Sequence, residues 1–286
     1  MKDNAIFNQA AINNEFFHDF IVFLTYIEKN TIRRTATGNI SLADIAALKK
    51  DFRQQKIFKD YEKHGWKIAS EVDIRFLTHM KVLAEVMYLT YNRKGKLLIS
   101  KNGRGYLHNI DPITQYWNMV ETYWHKISWE YVNPSFEIDG EGVMDILQKN
   151  QNIIWDALLR KEYEWIDFQA FCETIKVHFN LDSYFKDKGY GIDFFPIEYG
   201  LIKNNLFRLG CIEIEEEKNA RGFTKIKRFK PTKLGTYMFK KIIKDKSEEE
   251  GDDCPICRGM KKAEKEQRNL SMEELKELFD EAKKKK

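Results

Sequence analysis

The residues best placed to do chemistry lie between Glu213 and Lys246. Lys218, Arg221, Lys225, Lys227, Arg228, Lys230, Lys233, Lys240, Lys241, Lys244 and Lys246 are opposed within 218–246 by Asp245 alone. A cationic strand pair beside a helix can track a phosphate backbone, because each neutralised phosphate releases counter-ions. Glu213, Glu215, Glu216 and Glu217 stand just before this block and can pair with it, cancelling much of the field. A solvated strand pair whose lysines discourage edge pairing has the same composition. Glu213 and Glu215, two apart on one strand face with Lys218 beyond, carry the outline of a metal-dependent nuclease. That chemistry also needs an aspartate from a matching sheet, and the chain has too little strand to build one.

Two further groups stand out. Lys49, Arg53 and Lys56 approach one face of a helix read from Leu42 to about Lys59, which Ser41 can cap. A solvated helix face has the same pattern. Cys254-Pro255-Ile256-Cys257 offers two thiolates at the spacing of half a structural zinc site. No cysteine or histidine follows, so zinc would need a second tail in a homodimer, or Cys211 with a histidine. Two reduced thiols on a tail is the plainer reading. The sequence contains no GxSxG, GxxxxGK[ST], HExxH or GxGxxG, and its six histidines are dispersed. No enzymatic activity is expected.

Composition bounds these readings. The chain has 286 residues, 43% hydrophobic and 14% aromatic, which is ample for packed cores. With 32% charged residues but a net charge of only +4, attraction to nucleic acid must come from local segregation of charge. Four cysteines form no disulfide framework and point to a reducing, cytoplasmic setting. Phe16 to Ile27 is too short to span a bilayer, so no membrane partner is expected.

The elements that would position these residues follow from periodicity. Ile12, Phe16, Phe20, Phe23 and Ile27 recur at helical spacing over about 8–29. Leu77, Met80, Leu83, Val86 and Met87 do so over 73–91, with Gly95 as the stop, and Asn102 to Gly105 reads as a glycine-rich bend. Pro112 opens an aromatic helix, and 143–159 and 166–179 read as two more, with tryptophans as core rather than base-stacking platforms. Leu201, Ile202, Leu206 and Leu209 mark a helix ended by Gly210. Two strands and a last helix opened by Pro231 and Thr232 follow. An internal echo links Ser100-Lys101-Asn102-Gly103, with Tyr106 and Leu107 beyond, to Thr232-Lys233-Leu234-Gly235, with Met238 and Phe239 beyond. From Asp245 the composition turns polar and acidic, the signature of a linker.

Thr37-Gly38-Asn39-Ile40-Ser41-Leu42 resembles the entry of a helical module found in uncharacterised bacterial and archaeal proteins, some plasmid-associated. The segment Lys96 to Leu107 resembles the wing and following helix of winged-helix proteins in general. These resemblances imply a mainly α fold with small β wings: two winged-helix-like modules joined by a helical connector. The expected divisions are 1–110, a connector over 111–190, a second module over 191–246, and a linker with the CxxC pair and a short helix over 247–286. Winged helices bind DNA, RNA and proteins alike. The leading expectation is non-catalytic nucleic-acid binding, DNA before RNA, through the basic wing. A protein-interaction scaffold comes second and a nuclease third.

Overall fold

Twelve α-helices, one π-helix and eight short strands make up the computed structural model, which describes residues 2–135, 137–138, 140–185, 194–218 and 224–253. The chain is mainly helical with small antiparallel sheets. The first helical stretch is two helices, α1 (Lys2–Asn13) and α2 (Glu15–Lys29), and not the single one its periodicity predicts. Asn14 separates them. Its backbone is extended and its side chain caps α2 by accepting from Phe17 N–H at 2.8 Å.

The stretch predicted as one helix over 42–59 is also divided, into α3 (Leu42–Lys49) and α4 (Lys56–Lys63). Ser41 caps α3 as expected, accepting from Asp44 N–H. The break comes from a buried carboxylate outside the segment. Asp19 on α2 accepts from the amides of Arg53 and Gln54 at 2.7 and 3.0 Å, which pulls both out of any helical ladder. Gln55 then donates from Nε2 to the Lys49 and Phe52 carbonyls that the broken helix leaves open.

Strand β1 (Ile32–Arg33), β2 (Thr90–Arg93) and β3 (Lys96–Ile99) form a sheet in the order β1-β3-β2, with α5 (Arg75–Val86) preceding β2. Helix α5 is shorter than its apolar pattern. It ends because Tyr88 adopts φ 57°, and Gly95 belongs to the β2–β3 turn rather than to a helix stop. The predicted bend at 102–105 is instead the start of α6 (Lys101–Asn109).

An aromatic layer follows. Helix α7 (Pro112–His125) opens at Pro112, α8 (Trp129–Val132) and a two-strand hairpin (β4, Glu137–Ile138; β5, Glu141–Gly142) come next, and α9 (Val143–Lys149) and α10 (Gln151–Leu159) are divided at Asn150. Trp124, Trp129 and Trp155 are fully buried, with Phe239 stacked on Trp155 at 4.9 Å between ring centroids. These tryptophans are core.

The second three-stranded sheet joins β6 (Ile166–Asp167), β7 (Ile212–Lys218) and β8 (Thr224–Pro231) in the order β6-β8-β7. Between β6 and β7 lie α11 (Phe168–His178) and a π-helix over Pro196–Phe207, and α12 (Lys233–Asp253) leaves the sheet. Helix α12 runs on through the acidic stretch that composition reads as linker.

The sequence echo is a repeated hydrogen-bond set. Ser100 N–H donates to Leu89 O, its hydroxyl donates to Tyr88 O, and that hydroxyl accepts from Gly103 N–H. Thr232 makes the same three bonds with Cys211 O, Gly210 O and Gly235 N–H. Tyr88 and Gly210 share a left-handed backbone, at φ 57° and 70°. A Cβ on Gly103 would stand 2.2 Å from Leu89 O, and one on Gly235 would stand 1.9 Å from Cys211 O. Gly105, two residues along the same helix and on nearly the opposite face from Gly103, faces open space.

These two glycines on α6 therefore give an internal contrast. Gly103→Ala should lower stability by about 1–3 kcal/mol, the usual cost of overpacking. Gly105→Ala should raise it by about 0.5–1 kcal/mol through helix propensity. Urea denaturation of the two variants measures both, and equal effects would show that the close approach at Gly103 is not what the position requires.

Candidate functional site

The β7–β8 hairpin is charged but matched. Antiparallel pairing sets Glu213 opposite Lys230, Glu215 opposite Arg228 and Glu217 opposite Lys225. The side chains follow that register: Lys230–Glu213 at 3.0 Å, Arg228–Glu215 at 2.7 Å, Lys227–Glu215 at 3.5 Å and Lys225–Glu217 at 3.2 Å. The Arg228 guanidinium beside Glu215 holds that carboxyl below its usual range. Arg228 and Lys230 also lie over the Trp165 ring, 4.8 and 4.9 Å from its centroid. Alternation along a strand puts acids at every second position on one face and the cross-strand partner opposite, so the predicted basic wing is an ion-pair ladder. Lys218 and Lys233 stay exposed, and Arg221 lies outside the described residues.

A bulge between Glu215 and Glu216 breaks this alternation. Glu216 turns to the π-helix, where its carboxylate meets Lys203 at 3.0 Å, and Lys203 also meets Glu198 at 2.9 Å. Glu213 and Glu215 each face a cation across the sheet. Among the described residues no group of three His, Cys, Asp or Glu side chains converges to hold a metal.

Lys49, Arg53 and Lys56 do not share a face, because the helix that would align them is broken. Lys49 pairs with Glu62 on α4 and covers the Phe58 ring. Arg53 and Lys56 turn into a cleft of about 710 Å³ between α4, the 71–75 turn and the π-helix. Arg75 and Arg208 line it too, together with Tyr61, Phe76, Phe195 and Tyr199, and its acids are Glu15 and Asp73. Sequence reasoning missed Arg75 and Arg208, which lie far from the basic block. The only signal for them is an arginine at the edge of an otherwise apolar helical pattern. Lys56 is exposed and comes no closer to a carboxylate than 3.9 Å, at Glu216. Arg53 and Arg75 make no ion pair among the described residues.

The cleft backs onto a buried polar cluster. His79 on α5 donates from Nε2 to Val132 O at 3.0 Å, which leaves Nδ1 to accept from Arg208 Nη1 at 2.7 Å. Tyr123 Oη lies 2.9 Å from the same nitrogen and donates to Asn204 O at 3.1 Å. Arg208 Nη2 donates to Asn204 Oδ1 at 2.7 Å, and Asn204 Nδ2 donates to Asn133 Oδ1 at 2.9 Å. Burial, with the Arg208 charge beside it, pushes the His79 imidazole well below its usual value. Burial also brings Arg208 down to about 10.

Cys254 and Cys257 lie outside the described residues. Cys211, one route to completing a zinc site with them, is fully buried against Leu209 O and the Met238 thioether, and burial pushes its thiol up. It is core, and Cys172 is buried as well. No helix among the described residues is long and apolar enough to cross a membrane. No known protein family, curated protein or solved structure matches this chain.

The depressed imidazole has a consequence for stability. In the native state His79 stays neutral, whereas the unfolded chain takes up a proton there below about pH 6.5. Stability is therefore complete above that pH and falls as pH drops, with a limiting slope of about 1.4 kcal/mol per pH unit. Urea unfolding at several pH values between 7.5 and 5.5 should show this fall, and His79→Asn, which keeps an acceptor for Arg208, should flatten it. A wild-type curve as flat as the variant's would show that His79 takes up its proton in the native state.

Proposed function

We propose that this chain is a non-catalytic nucleic-acid-binding protein built from two winged-helix-like modules, and that the cleft rather than the second wing is its contact surface. Three features support the modules. Each three-stranded sheet has its first strand beside its third, a helix precedes each hairpin, and the hydroxyl–glycine hydrogen-bond set opens the helix that leaves each sheet. The contact rests on one observation: among the described residues Arg53 and Arg75 line a single cleft without an ion pair, and Lys56 beside them has only a 3.9 Å contact with Glu216, while the cations of the β7–β8 hairpin are spent on glutamates.

Exposed cations without a partner are the ones that gain by meeting phosphate, because no existing ion pair has to be broken first. The alternative, a protein-interaction scaffold, draws on the wing. Its charges are neutralised in pairs, and α5 is buried along almost its whole length, which keeps it out of a DNA groove.

Binding of single- and double-stranded DNA and RNA at two salt concentrations tests the reading. Arg53→Ala with Arg75→Ala should weaken binding and lower the salt slope by about two. The charge-conserving pair Glu215→Gln with Arg228→Gln should leave both within about twofold, since a matched pair contributes little field. A folded wild type that binds none of the four would replace this reading with the scaffold.

A further inference from the structure

The floor of the cleft differs from its rim. Arg53, Lys56 and Arg75 are exposed, but Arg208 is half-buried, with its guanidinium 5.5 Å from the centre of the Phe16 ring. Its side-chain acceptors, His79 Nδ1, Asn204 Oδ1 and the Tyr123 hydroxyl, are all neutral. Among the described residues no carboxylate pairs with it, and the nearest like charge is Arg75. Of the two acids lining the cleft, Asp73 already accepts from Ala69 and Ser70 N–H at 2.7 and 3.0 Å, and Glu15 is exposed on the first turn of α2. A half-buried cation without a counter-charge is partly desolvated and gains when an anion supplies one.

The surrounding chemistry narrows what that something is. Tyr199 offers no free face for a base, since Phe195 stacks on it at 4.4 Å and the Lys203 ammonium covers it at 4.7 Å. Recognition here runs through charge. The guanidinium of Arg208 uses N–H groups on His79, Asn204 and the Tyr123 hydroxyl, and the remainder of its five donors can meet an anion.

We infer that Arg208 and Arg75 form a site for a phosphomonoester, presented either by the end of a nucleic-acid strand or by a free phosphorylated small molecule. Two guanidinium groups match the two charges of the dianion, and forked N–H donors fit two phosphate oxygens. A terminal phosphate protrudes and can reach a half-buried guanidinium on the cleft floor. An internal phosphodiester is flanked by sugars on both sides and stays at the rim, with Arg53 and Lys56. The strand-end form rests on the nucleic-acid reading; the small-molecule form does not.

The test uses the full chain. Its thermal unfolding is followed in inorganic phosphate and in chloride at matched ionic strength. Its affinity is measured for one oligonucleotide carrying a 5′-phosphate, a 3′-phosphate or neither. Phosphate should raise Tm beyond chloride, and one phosphorylated end should bind about tenfold more tightly than the unphosphorylated strand. Arg208→Lys, which keeps the charge but loses the fork, should abolish both preferences. Arg75→Ala should do the same, and being exposed it leaves the fold intact. A phosphate effect on Tm without oligonucleotide binding supports the site with a free ligand and removes the nucleic-acid reading. Oligonucleotide binding indifferent to the terminal phosphate, with no phosphate effect on Tm, overturns the site and leaves the nucleic-acid reading standing.

Discussion

The end of the π-helix leaves carbonyl oxygens without helical partners, and the protein is assembled around satisfying them. Asn204 O accepts from Tyr123, Arg208 O from Asn14, Leu209 O from Tyr116 and Gly210 O from Thr232. Those four donors come from α7, the α1–α2 junction and the start of α12. A buried carbonyl that finds no donor costs roughly 1–3 kcal/mol, so each of these side chains is held in place by the helix end as much as it holds it. The same requirement places Asn14, which caps α2 with one side-chain atom and ties the π-helix with the other.

The two hairpins and their following helices show one local solution used twice. In each, a residue in the left-handed region ends the preceding helix, and a hydroxyl then collects its carbonyl while capping the next helix. A glycine lets that helix lie against the backbone just after the left-handed residue. What differs is the surroundings. The first set faces α7 through Tyr106, whose hydroxyl donates to Gln115 O, whereas the second presents Phe239 to the tryptophan layer. The repeat is thus a constraint on backbone geometry, and it leaves the outward chemistry of each copy free to diverge.

Charge is distributed by the same logic of satisfied and unsatisfied groups. On the β7–β8 hairpin, cross-strand register gives Glu213, Glu215 and Glu217 a cation each, while Glu216 meets Lys203 of the π-helix. In the cleft the cations come from the 50–55 turn, α4, the N-terminus of α5 and the residue after the π-helix, and few acids accompany them. The break at Asp19 matters here. By capturing the amides of Arg53 and Gln54 it separates Lys49 from Arg53 and Lys56, and only the latter two reach the cleft.

The sequence by itself determined the local features whose causes are local. Ser41 and Thr232 announce helix starts because a short side-chain oxygen satisfies free amides within its own turn. The apolar stripe of α2, the burial of Trp124, Trp129 and Trp155, the β7–β8 pairing and the echo between Ser100 and Thr232 were legible for the same reason, whereas Trp165, also read as core, is exposed under Arg228 and Lys230. Tertiary structure decided whatever depends on a partner distant in the chain. The division of the helix at 50–55 needs Asp19, and the end of α5 falls on Tyr88, a residue that does not advertise a left-handed turn as Gly210 does. Pairing within the β7–β8 hairpin needs the register of both strands, which a run of lysines does not carry. Arg208 and Arg75 are separated by 133 positions (208 − 75) and line one cleft only because the fold brings the start of α5 and the residue after the π-helix to it, since the charge a residue feels is set by its neighbours in space.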